Sequence, residues 1–179
     1  MNEPLNVISL GAGVQSSTLA LMATRGEVGP MPTAAVFADT MAEPKSVYEW
    51  LGWLEKQLPF PVYRVRATGR TLAEEEQSTA KRQSDGRIYR RGHIPAYPEG
   101  GGILPRQCTR NFKIRPLLKE YRRLAAVPRG CTEVRVISWI GISTDEVYRM
   151  KPAPESWISN RWPLVDLRMN RQDCLIWME

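Results

Sequence analysis

The segment Gly11-Ala12-Gly13-Val14-Gln15-Ser16-Ser17 contains the residue types that hold an anion with main-chain groups. Glycine permits positive φ and lets a ligand approach the backbone closely. Amides at the start of a following helix, on its positive end, bind phosphate without a lysine. Ser16 and Ser17 are expected to add hydroxyl donors. The string is neither G-x-x-x-x-G-K-S/T nor G-x-G-x-x-G, so the Walker and dinucleotide fingerprints are both excluded.

Other residues also have types suited to chemistry. Cys108 lies among Arg106, Arg110 and Lys113, a setting that favours a thiolate, with a buried inert thiol as the alternative. Asp39 follows an apolar run, where a carboxylate commonly caps the next helix. Asp145 and Arg149 are four apart, the spacing of a helix-surface ion pair. His93, with no carboxylate nearby in sequence, is a surface residue before it is a base. Cys131 and Cys174 have the character of structural cysteines.

The elements that must position these groups are legible. Asn6–Leu10 (NVISL) is strand-like, and SSTLALMATR from Ser16 to Arg25 is helical, with serine at its start as the expected N-cap. Thr33–Ala38 is a second strand. Pro44 opens a helix to about Leu58 with Val47, Tyr48, Trp50, Leu51 and Leu54 on its apolar side; Trp50 and Trp53 serve core or interface packing. Val62–Val65 is a third strand, Asn111–Leu124 a helix, Val134–Ile142 a strand, Ser143–Arg149 a turn or short helix, and text from about Asn170 is helical again. Alternating strands and helices imply an α/β fold, a doubly wound and mostly parallel sheet with helices on both faces.

Composition narrows the function classes. At 179 residues the chain is expected to form a single domain over 1–179, and its end within apolar helical text suggests a further C-terminal segment. No apolar run approaches the ~20 residues of a membrane span. Three dispersed cysteines and one histidine argue against a zinc site and for free thiols, hence a cytoplasmic setting. The net charge of +6 is concentrated between Lys81 and Arg129, where only Asp85, Glu99 and Glu120 oppose it. Within that stretch, 77–107 is expected to be a long basic loop. Such a field suits a polyanion, either a nucleotide or a nucleic acid.

Five stretches, in order, resemble one family. VISLGAGVQSSTLALMA resembles the S-G-G-x-D-S pyrophosphate loop of the adenine nucleotide alpha hydrolase (PP-loop) superfamily. FADT (Phe37–Thr40), RQCTRNFKIRPL (Arg106–Leu117), WIGISTDEVYRM (Trp139–Met150) and PLVDL…DC (Pro163–Cys174) resemble its phosphoadenosine phosphosulfate (PAPS) reductase-like branch. The resemblance implies a Rossmann-like domain for ATP or a PAPS-type adenine nucleotide, with Mg²⁺ as a possible companion of ATP. Gly11, Ala12, Gly13, Gln15, Ser16 and Ser17 would grip phosphate, and Asp39 would lie near the nucleoside. Arg106, Gly141, Asp145 and Glu146 complete the implied binding set; Lys113, Cys108 and Arg149 are the implied catalytic residues.

Two departures shape the chemistry. Gln15 stands where ATP pyrophosphatases have aspartate, and the C-terminal cysteine motif of PAPS reductases is absent. Three functions follow as expectations: adenylation of an acceptor with pyrophosphate release, thiolate chemistry on a sulfonucleotide through Cys108, or a non-catalytic nucleotide- or nucleic-acid-binding module using the basic 81–123 region. A homodimer is left open.

Overall fold

The run LNVISL forms β1 (Leu5–Leu10), and its side chains alternate between two apolar layers in the computed structural model. Ile8 and Leu10 face one layer and Val7 the other, as a strand buried on both faces requires. The structure describes residues 3–67, 74, 80–82, 85–86, 88–90 and 109–179.

After β1 come α1 (Val14–Thr24), β2 (Ala34–Ala38), α2 (Lys45–Gln57) and β3 (Val62–Val65). Short strands β4 (Ala80–Arg82) and β5 (Ile88–Arg90) pair antiparallel as a separate hairpin. The expected loop 77–107 is therefore not irregular throughout, and its remainder lies outside the described residues. A π-helical segment, Thr109–Ile114, runs into α3 (Arg115–Leu124), followed by β6 (Val136–Ile140) and a 3₁₀ segment, Thr144–Arg149. The chain closes with β7 (Ile158–Arg161), α4 (Pro163–Asp166) and α5 (Arg171–Met178).

Five strands form an all-parallel sheet in the order β3-β2-β1-β6-β7. Helices α1, α2 and α5 cover the face bearing Ile8, Phe37 and Trp139; α3 covers the face bearing Val7, Val36 and Val136. This is the doubly wound α/β fold expected from the alternation of elements. Chain order reverses between β1 and β6, and in open α/β sheets ligands bind beyond the strand carboxyl ends at such a point. No helix among the described residues is long and apolar enough to cross a membrane.

One local expectation needs correction, and one element was not anticipated. Helix α1 starts at Val14 with Gly13 as N-cap, so serine does not cap it. Strand β7 had no clear signature because Ile158 alone is buried in its ISNR text, as suits an edge strand. By contrast, α5 begins where expected: Asn170 and Asp173 form a reciprocal capping box, at 2.9 Å and 2.8 Å.

Candidate functional site

Between β1 and α1 the chain turns through three residues, and the left-handed conformation falls on Ala12 (φ 53°), not on a glycine. Alanine tolerates it at a cost of about 1–2 kcal/mol. Gly13 is extended (φ −88°, ψ 173°), and a Cβ there would meet no atom within 4 Å. Its lack of a side chain leaves space that the fold itself does not need.

The two serines are already engaged. The Ser16 hydroxyl accepts from the Gly11 amide and donates to the Gly13 carbonyl, both at 3.2 Å, which clasps the turn. The Ser17 hydroxyl accepts from Trp50 Nε1 at 2.8 Å and is fully buried. The Ser17 amide donates to Gly13 O at 3.0 Å, the first bond of α1. The Ser16 hydroxyl proton is thus used within the turn, whereas Ser17 is engaged as an acceptor. The donors left without an intrahelical partner are the amides of Val14, Gln15 and Ser16.

The end of β6 meets this turn. A Cβ on Gly141 would lie 2.8 Å from both Cα and N of Ser16, a backbone contact that excludes any side chain. Beyond it the Ser143 hydroxyl donates to Asp145 Oδ1 at 2.6 Å. That bond, ahead of the one from the Arg171 amide, holds the Asp145 carboxyl below its ordinary range. Arg149 pairs with Glu146 at 2.8 Å, not with Asp145. The segment is a 3₁₀ helix, so neighbours along one edge are three apart and the four-residue pairing fails.

Gln15 joins these parts. Its Nε2 donates to Ser143 Oγ and Glu146 Oε2, each at 3.4 Å, and its Oε1 accepts from Arg171 at 3.0 Å. The amide is thus oriented with nitrogen toward carboxylate and oxygen toward cation. Neither Arg171 nor Ser143 was among the residues singled out from sequence. Arg171 is 156 positions from Gln15, and its place in a polar helix start carried no signal of its own.

Beside the turn lies a cleft of about 790 Å³, within the range of small-molecule sites. Gly11, Gly13, Gln15, Ser16, Gly141, Glu146, Arg149 and Arg171 line it, with Lys113 from the π segment. Apolar walls come from Phe37, Ile114, Leu117, Leu118, Ile140 and Ile142. Ser9, Ser138 and Tyr121 also line it, and Tyr121 Oη lies 3.3 Å from Ser138 Oγ. Burial raises the Tyr121 phenol pKa despite bonds with Ser138 and Ser9, so it remains protonated.

Lys113 is held by Glu43 at 3.1 Å, and Thr40 donates to the same carboxylate oxygen. Asp39 is buried and caps no helix, since α2 begins after Pro44. Its Oδ1 accepts from the Met41 amide and Tyr48 hydroxyl, and its Oδ2 from Arg66 Nε, each at 2.8 Å. Burial opposes ionisation, but the bonds from Tyr48, Met41 and Arg66 outweigh it and depress the pKa. Asp39 does not line the cleft, although its neighbours Phe37 and Ala38 do. Ala12, Ser17 and Asp145 likewise do not line it.

Arg106, Cys108 and His93 lie outside the described residues. The two described cysteines do not line the cleft; burial raises the pKa of Cys174. Among the described lining residues Glu146 is the sole carboxylate, and it is already paired with Arg149. No group of acidic, histidine or cysteine residues there could hold a metal. Among the described residues this donor set does not fit an all-protein magnesium cage.

No family model matches the sequence, and no curated protein is similar to it in sequence. The fold is similar to the crystal structure of phosphoadenylyl-sulfate (PAPS) reductase from Candida auris in a phosphate complex. The TM-score is 0.60 at 12% identity, over 97% of this chain and 71% of that one.

Proposed function

We propose that the cleft binds an adenine nucleotide, with phosphate at the amides of Val14, Gln15 and Ser16 and the base between the apolar walls. The observation that carries this is the pair of glycines at the turn. Gly141 is needed so that β6 can reach the Ser16 backbone, whereas Gly13 leaves open space beside the same amides. The strand reversal between β1 and β6, the cleft lining described above and the PAPS reductase-like fold support the same assignment.

The chemistry this favours is transfer at the α-phosphate. An acceptor oxygen attacks α-phosphorus, the bond to the bridging oxygen breaks, and pyrophosphate leaves while the acceptor's proton passes to solvent. Lys113 and Arg149 stabilise the charge that develops on the phosphoryl oxygens. A sulfonucleotide reaction would instead require a thiolate, for which Cys108 is the candidate. Calorimetric titration with ATP, AMP and PAPS, with and without magnesium, tests the binding. Pyrophosphate release from ATP tests the chemistry. Saturable binding of at least one of these nucleotides is expected, and no heat with any of them would end the proposal.

A further inference from the structure

The cations on the cleft wall, Lys113, Arg149, Lys151 and Arg171, differ in their engagement. Lys113 is neutralised by Glu43 and Arg149 by Glu146. Arg171 is different: among the described residues its side chain donates one hydrogen bond, at 3.0 Å, to the neutral carbonyl of Gln15. A guanidinium has five N–H donors in a planar fork suited to phosphate, so one bond leaves most of that capacity open.

Its position is also fixed from behind. The Arg171 amide donates to Asp145 Oδ1 at 3.2 Å, and the Asn170–Asp173 capping box sets the first turn of α5. Gln15 is itself held on its far side by Ser143 and Glu146 and is nearly buried. The arginine is therefore hydrogen-bonded through its side chain to a neutral group, with the Asp145 carboxylate near enough to interact with its charge but not hydrogen-bonded to the guanidinium, and it lines the cleft. A carboxylate at position 15 would orient the same guanidinium and neutralise it. Glutamine does the first without the second.

We infer that Arg171 is an anion-binding residue of the site, aimed by Gln15 at a phosphate or other anionic group of the ligand resting on the α1 amides. Gln15 acts through Arg171 and is a positioning residue. The inference rests on the nucleotide reading for the identity of the ligand, but not for the anion contact itself.

Three probes separate the two ideas: ATP, adenosine and inorganic pyrophosphate, titrated calorimetrically into the full chain. Arg171→Ala is expected to weaken ATP and pyrophosphate binding at least tenfold and to leave adenosine unchanged. Arg171→Lys should restore part of the loss. Gln15→Glu should weaken both anions although the arginine is still present, because a glutamate would pair with it. Thermal unfolding of each variant establishes that it is folded, and the lysine variant keeps the test open should the alanine variant fail to fold. Anion affinities unchanged in both Arg171 variants would overturn the inference. If pyrophosphate binds in an Arg171-dependent way but ATP does not bind, the nucleotide reading fails and the anion assignment stands. If none of the three binds the unaltered protein, both are wrong.

Discussion

Gly141 and Ser16 touch backbone to backbone: a Cβ on the glycine would stand 2.8 Å from the serine's Cα and amide nitrogen. Neither partner can yield by rotating a side chain, because β6 would have to shift against the first turn of α1. Gly141→Ala is therefore expected to cost about 1–3 kcal/mol of stability, as overpacking in a filled interior does. Nucleotide binding should weaken with it, since the displaced amides are those proposed to hold phosphate. Denaturant unfolding and titration on the same preparation check both effects.

Gly13→Ala should behave in the opposite way. The backbone there suits any residue, and an added Cβ meets nothing within 4 Å. Stability should change by no more than about 0.5 kcal/mol, the range for substitutions away from packed features. Loss of phosphate binding without loss of stability would mark the open space as the ligand's. Retained affinity would remove Gly13 from the site.

The strand–turn–helix text from Asn6 to Arg25 was readable because an apolar run, small turn residues and helix formers follow one another without conflict. Gly141 was identified by resemblance, and its role in letting β6 reach Ser16 became visible only with the backbone in place. Ala12's positive φ was not readable, because alanine carries no preference for that conformation. The engagement of Ser16 within the turn and of Ser17 with Trp50 depends on which way two hydroxyls point, which residue type does not determine. Arg171 was missed for a topological reason: α5 returns to the loop from the far end of the chain. Residues Arg106 and Cys108 stay expectations from the sequence.

Lys113→Ala separates local stability from function. The Lys113–Glu43 pair is about half-exposed on the lysine side, and such pairs contribute about 0–1 kcal/mol. A midpoint shift of that size or less is expected in unfolding experiments. If the lysine stabilises phosphoryl charge as proposed, pyrophosphate release should fall by about 10²–10³, the scale seen when one oxyanion donor is removed. An unchanged rate would assign Lys113 to the surface alone.

Asp39 sets an acid limit on the fold. Its folded-state pKa is depressed below the ordinary 3.8, with its bonds outweighing the burial penalty. Its contribution is therefore fully present above that value and is lost as pH falls through the lower folded-state pKa. The stability gap between the unaltered protein and Asp39→Asn should be constant near neutrality and shrink only below about pH 3.8. Urea midpoints measured from pH 7 to pH 2.5 follow this; a gap that closes well above pH 4 would contradict the assignment.

The most direct test of the account is to observe the backbone amides of the β1–α1 turn while ligand is added. Two-dimensional NMR of isotopically labelled protein titrated with ATP should show the largest shifts at Val14, Gln15, Ser16 and Gly141, saturating with the calorimetric affinity. Shifts confined to other surfaces, with these four signals unmoved at saturation, would contradict it.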